Sequence, residues 1–557
     1  MKNLSITKLI AKIEDKNLVE MKTKIITVMV ALATAIGSMA QTGPRVATSN
    51  GVLEGTDCSG VKVFKGVAFA QPPVGQLRWK APQPVENWTG VRSAKDFGPN
   101  PMQQNIFGDM MFGTSQMSED CLYLNIWTPS QTWDERLPVI IYFNGGGLIA
   151  GSGSEPRYAG MTLARNGVIA ITANYREGIF GFFAHPELSA ESDYGGSGNY
   201  GFLDQVAAIR WVKDNIAAFG GDPQRITIMG ESAGSLSVSA LMASPLCRDM
   251  IAQAMGSSGS VLGIAKRPWH TLAEAEREGV AKAEEMGCHS LKELRALSAE
   301  DLLVKANVRN VPTYNIDGYF MVRQPMDIYK SGEQAHVPCL IGNNNAEMSA
   351  EMFLGGKTPT KGNLAPAVEA WLGVPADEVF AKYGIAEDSD IMRLPGYELG
   401  GDMFIAYSTW KWLDLQQRTS DAPVYRYCYC HPRPEMVEKG LVAGLAGGVQ
   451  KADADRPAVP KVPGAVHSAD IEYQMGNLPT NEVFAWNADD YAVSEIFVKM
   501  FVNFIKTGNP NGLGLPRWEP INGKEVAPVM MIDVDSRQEQ NPQREARYRF
   551  IDSLLDK

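Results

Sequence analysis

The sequence predicts an α/β fold with a central, mainly parallel sheet, flanking helices and helical insertions. Residues 139–143, 168–173 and 226–229 are apolar runs of strand length, too continuous for half-exposed strands and suited to strands covered on both faces. Between the last two runs, residues 202–218 place apolar side chains at helical spacing, and two glycines and a proline follow at 220–223. Strands that alternate with helices indicate a parallel sheet.

The elements on either side of this centre extend the same pattern. Residues 51–55 and 61–66 are short β-like pieces separated by polar turns, as in an antiparallel edge. Residues 337–342 and 424–430 are again strand-like runs. Near the end of the chain, residues 491–507 have an amphipathic pattern that predicts a helix closing the fold.

Two stretches between these strands are rich in alternating charged and apolar residues and are interpreted as helical insertions near the site, at about 262–334 and 352–421. The chain of 557 residues has 45% hydrophobic and 21% charged residues, which is typical of a soluble globular protein with a large core. No repeat or low-complexity linker divides it. We therefore expect one domain over residues 41–557.

The N-terminus carries an export pattern. Met21 begins a lysine-containing stretch, residues 25–36 are apolar, and a small-x-small site ends at Ala40. The apolar run is too short to span a bilayer. We expect a signal peptide within residues 1–40, cleavage after Ala40, translation that truly starts at Met21, and a periplasmic or secreted protein with no membrane anchor.

Charge and cysteine content exclude several classes of function. The first 40 residues carry six lysines and three acidic residues, so the remainder has a net charge of −14, which argues against nucleic acid as a partner.

Seven cysteines are too few for a disulfide scaffold, and an odd number leaves at least one unpaired. Cys428 and Cys430 point to one face of a strand and are interpreted as core residues. Without an H-E-x-x-H pattern the six histidines predict no zinc site, and we expect no metal or other cofactor.

One serine lies where a strand turns into a helix. Gly230-Glu231-Ser232-Ala233-Gly234 follows the apolar run at 226–229 and precedes a small-residue helical stretch. This is the layout of a nucleophile elbow, in which a sharp turn exposes the serine hydroxyl and leaves room only for glycine beside it. A chance match is the alternative, but no other serine has glycine at both second neighbours.

A serine hydroxyl needs a base to remove its proton and a third group to orient that base. In folds with this elbow the partners follow the serine in the order acid, then histidine. The histidines available downstream are His270, His289, His336, His431 and His467.

Four further motifs occur in order along the chain, at residues 64–75, 119–126, 199–205 and 220–223. With the elbow, they make residues from about Arg45 to Trp518 resemble the type-B carboxylesterase family, which has the α/β-hydrolase fold. The resemblance implies a serine hydrolase that cleaves carboxylic esters of small to medium-sized substrates through an acyl-enzyme intermediate.

The resemblance also assigns roles to residues. It implies that Ser232 is the nucleophile, Glu347 the acid and His467 the base, an order that agrees with the requirement above. It implies an oxyanion hole formed by the backbone N–H groups of Gly146, Gly147 and Ala233. Glu231 and Ser258 match positions that support the triad, and Arg78 with Glu119 matches a structural ion pair of the family.

Several positions depart from the family pattern. Asn144 stands where many members have histidine or tyrosine, Leu148 replaces a common phenylalanine, and Glu347 is flanked by Ala346 and Met348 where aspartate and glycine are usual. Cys121 occupies a family disulfide position, but Met102 stands at its usual partner. Residues 103–120 contain no tryptophan, so choline esters are not expected as preferred substrates.

The sequence is also compatible with three other functions. Residues 145–150 also satisfy G-x-G-x-x-A, but the loop-like stretch after them lacks the helix that a dinucleotide site requires. A non-catalytic exported binding or adhesion module of the same fold is a second alternative, and an amidase or carbamate hydrolase using the same triad is a third. The expected partner is a small-molecule ester, and the sequence does not specify the oligomeric state.

Overall fold

The computed structural model describes residues 43–107, 110–263, 269–307, 314–443, 449–451 and 462–555. The chain divides into two compact units, Met1–Arg45 and Val46–Lys557. Of the first unit only residues 43–45 are described, so the predicted signal peptide with its cleavage site after Ala40 lies outside the described residues.

An eleven-stranded sheet organises this unit, in the order β20-β19-β16-β15-β12-β11-β9-β10-β8-β4-β3. The strands of this sheet and of the smaller sheets are numbered together in chain order. They are β1 Arg45–Ala47, β2 Val52–Glu54, β3 Thr56–Cys58, β4 Val61–Ala68, β5 Val91–Ser93, β6 Asn100–Pro101, β7 Met117–Ser118, β8 Tyr123–Thr128, β9 Leu137–Phe143, β10 Ile169–Ala173, β11 Gly221–Glu231, β12 Gln253–Ser257, β13 His270–Thr271, β14 Asn315–Ile316, β15 Cys339–Asn344, β16 Val424–Tyr429, β17 Leu441–Ala443, β18 Val449–Lys451, β19 Pro528–Ile532 and β20 Arg537–Gln540.

The seven strands from β10 to β19 in this order pair in parallel, whereas β8, β4 and β3 at one edge and β20 at the other pair antiparallel. The predicted mainly parallel α/β sheet is confirmed. Of the two pieces predicted as an antiparallel edge, residues 61–66 lie in the antiparallel edge strand β4, whereas β2, within residues 51–55, belongs to a separate small sheet and pairs in parallel with β5. Because the strands run parallel, the carboxyl ends of β9, β11 and β15 meet at one edge of the sheet.

The α-helices are α1 Met161–Arg165, α2 Gly178–Gly181, α3 Pro186–Glu191, α4 Tyr200–Asn215, α5 Ala233–Ala243, α6 Leu272–Glu285, α7 Leu291–Ala296, α8 Ala299–Lys305, α9 Pro325–Lys330, α10 Lys361–Leu372, α11 Ala376–Tyr383, α12 Leu394–Gly401, α13 Tyr407–Thr419, α14 Ile471–Met475, α15 Ala488–Thr507 and α16 Pro542–Leu555. Residues Asp402–Ala406 form a π-helical segment between α12 and α13. Short 3₁₀ turns lie at Gly75–Leu77, Pro156–Tyr158, Ile216–Phe219, Arg248–Met250, Ala350–Leu354, Asp388–Met392 and Leu478–Thr480.

The apolar strands are buried on both faces. In β9, Ile141 and Phe143 join the core beneath α4 and α5, whereas Ile140 and Tyr142 join the core on the other face with α15. Successive side chains of a strand point to opposite faces, so a continuous apolar run fits a sheet covered twice.

The second insertion has a core of its own. Leu364 of α10, Val379 of α11 and Leu399 of α12 are fully buried together with Ile551 of the last helix. Helices α10 to α13 lie within the predicted insertion at 352–421, and α6 to α9 lie within that at 262–334.

The last part of the fold differs from the prediction. The helix expected at 491–507 begins earlier, at Ala488, where the Asn487 side chain caps it. That helix does not close the fold, since β19, β20 and α16 follow it. In the described part of the chain, no helix combines the length and apolarity that crossing a bilayer requires.

Candidate active site

Ser232 lies at the sharp turn between β11 and α5, at the carboxyl end of the sheet. Its backbone has φ 56° and ψ −122°, a strained conformation for a side chain other than glycine. A Cβ at Gly230 would approach Gly234 C to 2.3 Å, and one at Gly234 would approach Phe143 O to 2.1 Å. The predicted elbow is therefore present, and both glycines are required by contact with backbone.

The structure brings three of the predicted residues into one hydrogen-bonded chain. The Ser232 hydroxyl lies 2.9 Å from His467 Nε2, and His467 Nδ1 lies 2.6 Å from Glu347 Oε2. The side chains of Glu347 and His467 are at most 4% exposed. In the neutral tautomer that donates from Nδ1 to Glu347, Nε2 is free to accept the serine proton.

Glu347 is held in place by hydrogen bonds to its second carboxylate oxygen, Oε1. Ser258 Oγ donates to Glu347 Oε1 at 2.6 Å, and the backbone N–H of Asn344 donates to the same atom at 2.7 Å. The backbone N–H of His467 also donates to the carbonyl of Glu347 at 3.0 Å. The loop after β15 and the loop that carries the histidine are thus joined at the triad itself.

Glu231 lies on the other side of the imidazole. Its Oε1 accepts a hydrogen bond from Ser468 Oγ at 2.8 Å and lies 3.4 Å from His467 Nε2. Burial on its own would lower the pKa of His467, but the carboxylates of Glu231 and Glu347 outweigh burial and raise that pKa to about 9. Burial raises the pKa of Asp470, a third carboxyl group near the imidazole, to about 7.

The glycines predicted for the oxyanion hole follow β9 directly. Gly146 has φ 105° and Gly147 φ 68°, and a Cβ at Gly146 would lie 1.8 Å from Ala150 O. Only glycine tolerates this backbone, which turns N–H groups out of the strand direction. Ala233, the third predicted donor, is the first residue of α5, where the N–H groups lack partners within the helix.

Backbone strain is concentrated here. Of the eight non-glycine residues with positive φ in the described ranges, four lie in or beside the triad: Ser232 itself, Leu148, Ser258 and Ser468. Strained conformations persist only where the surrounding structure enforces them, and they cluster at functional sites.

Apolar groups cover the triad. The ring of Phe404 meets the His467 ring edge to face, with centroids 5.0 Å apart. The Met110 methyl group lies beside Gly146, and Leu236 and Ile405 lie beside Gly259. Because these groups displace water, hydrogen bonds and charges in the site act more strongly than they would in solvent.

An ion pair and two histidines that the sequence analysis considered make contacts outside the triad. Arg78 forms a two-pronged ion pair with Glu119, as the resemblance implied. His185 caps α3 by accepting from the Glu187 N–H, and His431 lies between Asp490 and Asp533.

All seven cysteines are free thiols, including Cys121. Cys428 Sγ lies 3.8 Å from Cys430 Sγ, in agreement with the prediction that they share a face. In the described residues, no group of three or more His, Cys, Asp or Glu side chains is arranged to hold a metal ion.

Sequence reasoning missed two residues of the site. Ser468, which bonds Glu231, and Asn344, whose side chain bonds Val466 O and Asp470, received no role. Their only sequence signal is adjacency to His467 and to the loop of Glu347, and neighbouring polar residues in loops are common.

The chain is similar in sequence to proteins of known family. The model of the Carboxylesterase family matches residues 42–551. The para-nitrobenzyl esterase of Bacillus subtilis is 31% identical over 527 residues, covering 91% of this chain and 98% of that protein. A fumonisin B1 esterase of Sphingopyxis macrogoltabida is 42% identical over 331 residues, which cover 57% of this chain and only 59% of that relative.

Solved structures show the same architecture. A para-nitrobenzyl esterase superimposes with a TM-score of 0.75 at 29% identity, covering 92% of this chain and 99% of that one. A carboxylesterase of Geobacillus stearothermophilus superimposes with a TM-score of 0.75 at 30% identity, covering 91% of this chain and 99% of that one. These structures have the α/β-hydrolase fold, which the large, mostly parallel sheet shares.

Proposed function

Because this chain belongs to the carboxylesterase family and is a serine hydrolase of carboxylic esters, we propose that Ser232, His467 and Glu347 carry out its reaction. The observation that supports this assignment is the continuous hydrogen-bonded chain from the serine hydroxyl through the imidazole to the buried carboxylate. The alternative of a non-catalytic binding module is not favoured, since the matched relatives are esterases.

In the first half of the reaction, Ser232 Oγ attacks the ester carbonyl carbon while His467 Nε2 takes the serine proton. The resulting imidazolium donates that proton to the departing alcohol, and the acyl group stays on the serine as an ester. Glu347, fixed by Ser258 and Asn344, orients the ring and stabilises its positive charge.

In the second half, His467 removes a proton from water as the water oxygen attacks the acyl carbon. The bond from that carbon to Ser232 Oγ then breaks, His467 returns the proton to the serine oxygen, and the carboxylic acid is released. Backbone N–H groups of Gly146, Gly147 and Ala233 stabilise the oxyanion of both tetrahedral intermediates. One such donor typically lowers the barrier by roughly 3–4 kcal/mol. Glu231 and Ser258 hold the histidine and glutamate from either side.

A fluorophosphonate probe, which reacts covalently with activated serines, tests the nucleophile. We expect labelling of the purified protein and its loss in Ser232→Ala, whose turnover should fall by roughly six powers of ten. Ser237→Ala, on the same helix but hydrogen-bonded to Ala233 O and Gln205, is the matched control and should stay labelled. Labelling that survives in folded Ser232→Ala would assign the chemistry to another serine.

The preferred acyl group is proposed to be small to medium-sized. Phe404 packs on the imidazole and the Met110 methyl group packs beside the glycine loop, so large apolar side chains flank the serine. Short p-nitrophenyl esters should therefore have a higher kcat/KM than long-chain ones. Fumonisin B1 belongs in the same panel because one relative is its esterase, and Ser232→Ala is the control for each ester.

The protein is also proposed to be exported, with residues 1–40 removed. The support is the basic, apolar and small-x-small order of residues 21–40. After expression in a bacterium from the start at Met21, the exported protein should begin at Gln41 by N-terminal sequencing. Recovery of uncleaved protein only from the cytoplasm would contradict export.

A further inference from the structure

A buried carboxyl group behind the glycine loop has no cationic partner in the described structure. Glu177 lies between β10 and α2 and is 1% exposed. Its Oε1 accepts a hydrogen bond from Asn144 Nδ2 at 3.1 Å. Its Oε2 is buried without a hydrogen-bond partner, and so is Asn144 Oδ1, the other oxygen of this contact.

The cations near Glu177 are used elsewhere. Arg176, its chain neighbour, forms a two-pronged ion pair with Asp204 at 2.7 Å, and Arg78 pairs with Glu119. Burial therefore raises the pKa of the Glu177 carboxyl well above its ordinary value.

The other titratable groups around this carboxyl are neutral. Burial raises the pKa of the Tyr175 phenol and that of the Cys121 thiol, so neither carries charge at neutral pH. Glu177 lines two small cavities. One is otherwise apolar, with Met102, Ile149 and Leu303 among its lining residues. The other is also lined by Arg78, Glu119 and Arg176, the charged groups already paired elsewhere.

We propose that Glu177 is a neutral carboxylic acid whose Oε2–H donates to Asn144 Oδ1 while Asn144 Nδ2 donates to Glu177 Oε1, a cyclic pair that positions the oxyanion loop. One proton on Glu177 gives a partner to both unpaired oxygens at once. An ionised carboxylate would leave Glu177 Oε2 and Asn144 Oδ1 both buried without a hydrogen-bond donor, a costly arrangement.

The segment around Glu177 holds the loop at both ends. At the start of the loop, the Tyr175 hydroxyl donates to Asn144 O at 2.9 Å, and Asn144 Nδ2 also donates to Gly145 O. At its end, the N–H of Gly178 donates to Leu148 O at 2.7 Å. Glu177 is thus a positioning residue, and this role rests on the oxyanion hole proposed above.

Asn144 has little freedom to turn away from the acid. A Cβ at Gly151 would lie 2.0 Å from Asn144 Nδ2, so backbone packs against the amide on that side. Each of the two small cavities next to Glu177 measures about 10 Å³, close to the lower limit for one water. A water there could instead solvate an ionised Glu177, which the first experiment decides.

Infrared difference spectroscopy of wild type against Glu177→Gln tests the proton directly. Glutamine has the same shape and can form the same two hydrogen bonds, so the variant should fold. At neutral pH we expect a protonated-carboxyl C=O band in wild type that is absent from the variant and disappears as pH rises through the raised pKa. A carboxylate band in its place would overturn the proposal, whatever the enzyme's activity.

Turnover tests the positioning role. Glu177→Leu should lower kcat by roughly ten- to a hundredfold while fluorophosphonate still labels Ser232, and Glu177→Gln should restore most of that loss. At high pH, wild type should lose turnover as Glu177 ionises, and Glu177→Gln should not.

A double-variant cycle with Asn144→Leu distinguishes a coupled pair from two separate contacts. The double variant should lose no more activity than either single leucine variant. Additive losses, or a labelled and folded Glu177→Leu with wild-type turnover, would overturn the positioning role while leaving the proposed triad intact.

Discussion

His467 is bonded to Glu347 and lies close to Glu231, and both carboxylates are buried. At the scale of single residues, this concentration of negative charge determines when the imidazole can act as a base. In the proposed mechanism, each carboxylate stabilises the imidazolium that forms when the serine loses its proton, and each also makes the resting histidine easier to protonate.

The raised pKa of His467 predicts the acid side of the pH profile. The histidine must be neutral to accept the serine proton, so kcat/KM should fall as pH decreases through its pKa, with a midpoint above the ordinary value of 6.5. Glu231→Gln removes one carboxylate and should move the midpoint downward. A profile flat on the acid side, or an upward shift in the variant, would contradict this electrostatic account.

Glu347 should be required for its charge and not only for its shape. Glu347→Gln keeps the volume but allows the amide to donate to Nδ1, which favours the wrong tautomer of His467. We expect kcat to fall by roughly a thousand- to ten-thousandfold with little change in thermal stability. Asp552→Asn, in a carboxylate that bonds Lys411 far along the chain, is the control and should keep its turnover.

Residue identities in the triad follow from sequence more readily than the contacts that support them. Ser232 is identified by the turn that surrounds it, and His467 by a motif in the expected order. Contacts such as that of Asn144 with Glu177, which are 33 positions apart, depend on how two loops face each other. A pattern along the chain carries no information on that orientation.

At the scale of elements, the elbow depends on how closely β11, α5 and β9 approach. Gly234 lies at the start of α5 with its Cα against the Phe143 carbonyl, so the helix can pack on the strand only without a side chain there. The same approach places the first N–H groups of α5 beside the glycine loop.

Gly234→Ala should therefore destabilise the fold, because its Cβ would lie 2.1 Å from Phe143 O. Overpacking of this kind costs about 1–3 kcal/mol or more in the free energy of unfolding. Gly362→Ala in α10 is the matched control, since a Cβ there meets nothing within 4 Å, and alanine is favoured over glycine within a helix. Urea unfolding of both variants measures the difference, and equal midpoints would contradict the packing argument.

The elements that sequence reasoning found are those with strong periodicity. The continuous apolar runs of β9, β10 and β11 are buried on both faces and are recognisable for that reason. The missed strand β20 is a short edge strand of polar residues, Arg537–Gln540. The missed helix α16 has a polar sequence whose charged side chains are largely buried, as in the ion pairs of Arg544 and Arg547 with Glu398. Their positions depend on pairing with β19 and on packing against the insertion, which are contacts between distant segments.

At the scale of the whole molecule, hydrogen bonds to the backbone around a buried ion pair tie the first half of the chain to the last. Arg157 and Glu155 form an ion pair in which both side chains are 0% exposed. Asn477, more than 300 residues later, donates to the carbonyls of Arg157 and Ala159. This contact holds the segment that follows the glycine loop against the segment that follows His467.

Glu155→Gln should destabilise the whole unit, because it leaves the Arg157 charge buried without its partner. Removing one member of a buried pair typically costs about 3–5 kcal/mol. Glu495→Gln breaks the exposed pair with Lys499 and should change the free energy of unfolding by less than about 1 kcal/mol. Chemical unfolding measures the change in the free energy of unfolding for each variant. Similar changes would show that the buried pair contributes no more to stability than the exposed pair.

The most direct test of the catalytic account is to trap the acyl-enzyme. The protein would be mixed with excess p-nitrophenyl ester, quenched in acid during turnover and digested for peptide mass spectrometry. We expect one acyl group on the peptide that contains Ser232 and none in Ser232→Ala. An acyl group on a different residue, or rapid ester hydrolysis by Ser232→Ala, would contradict it.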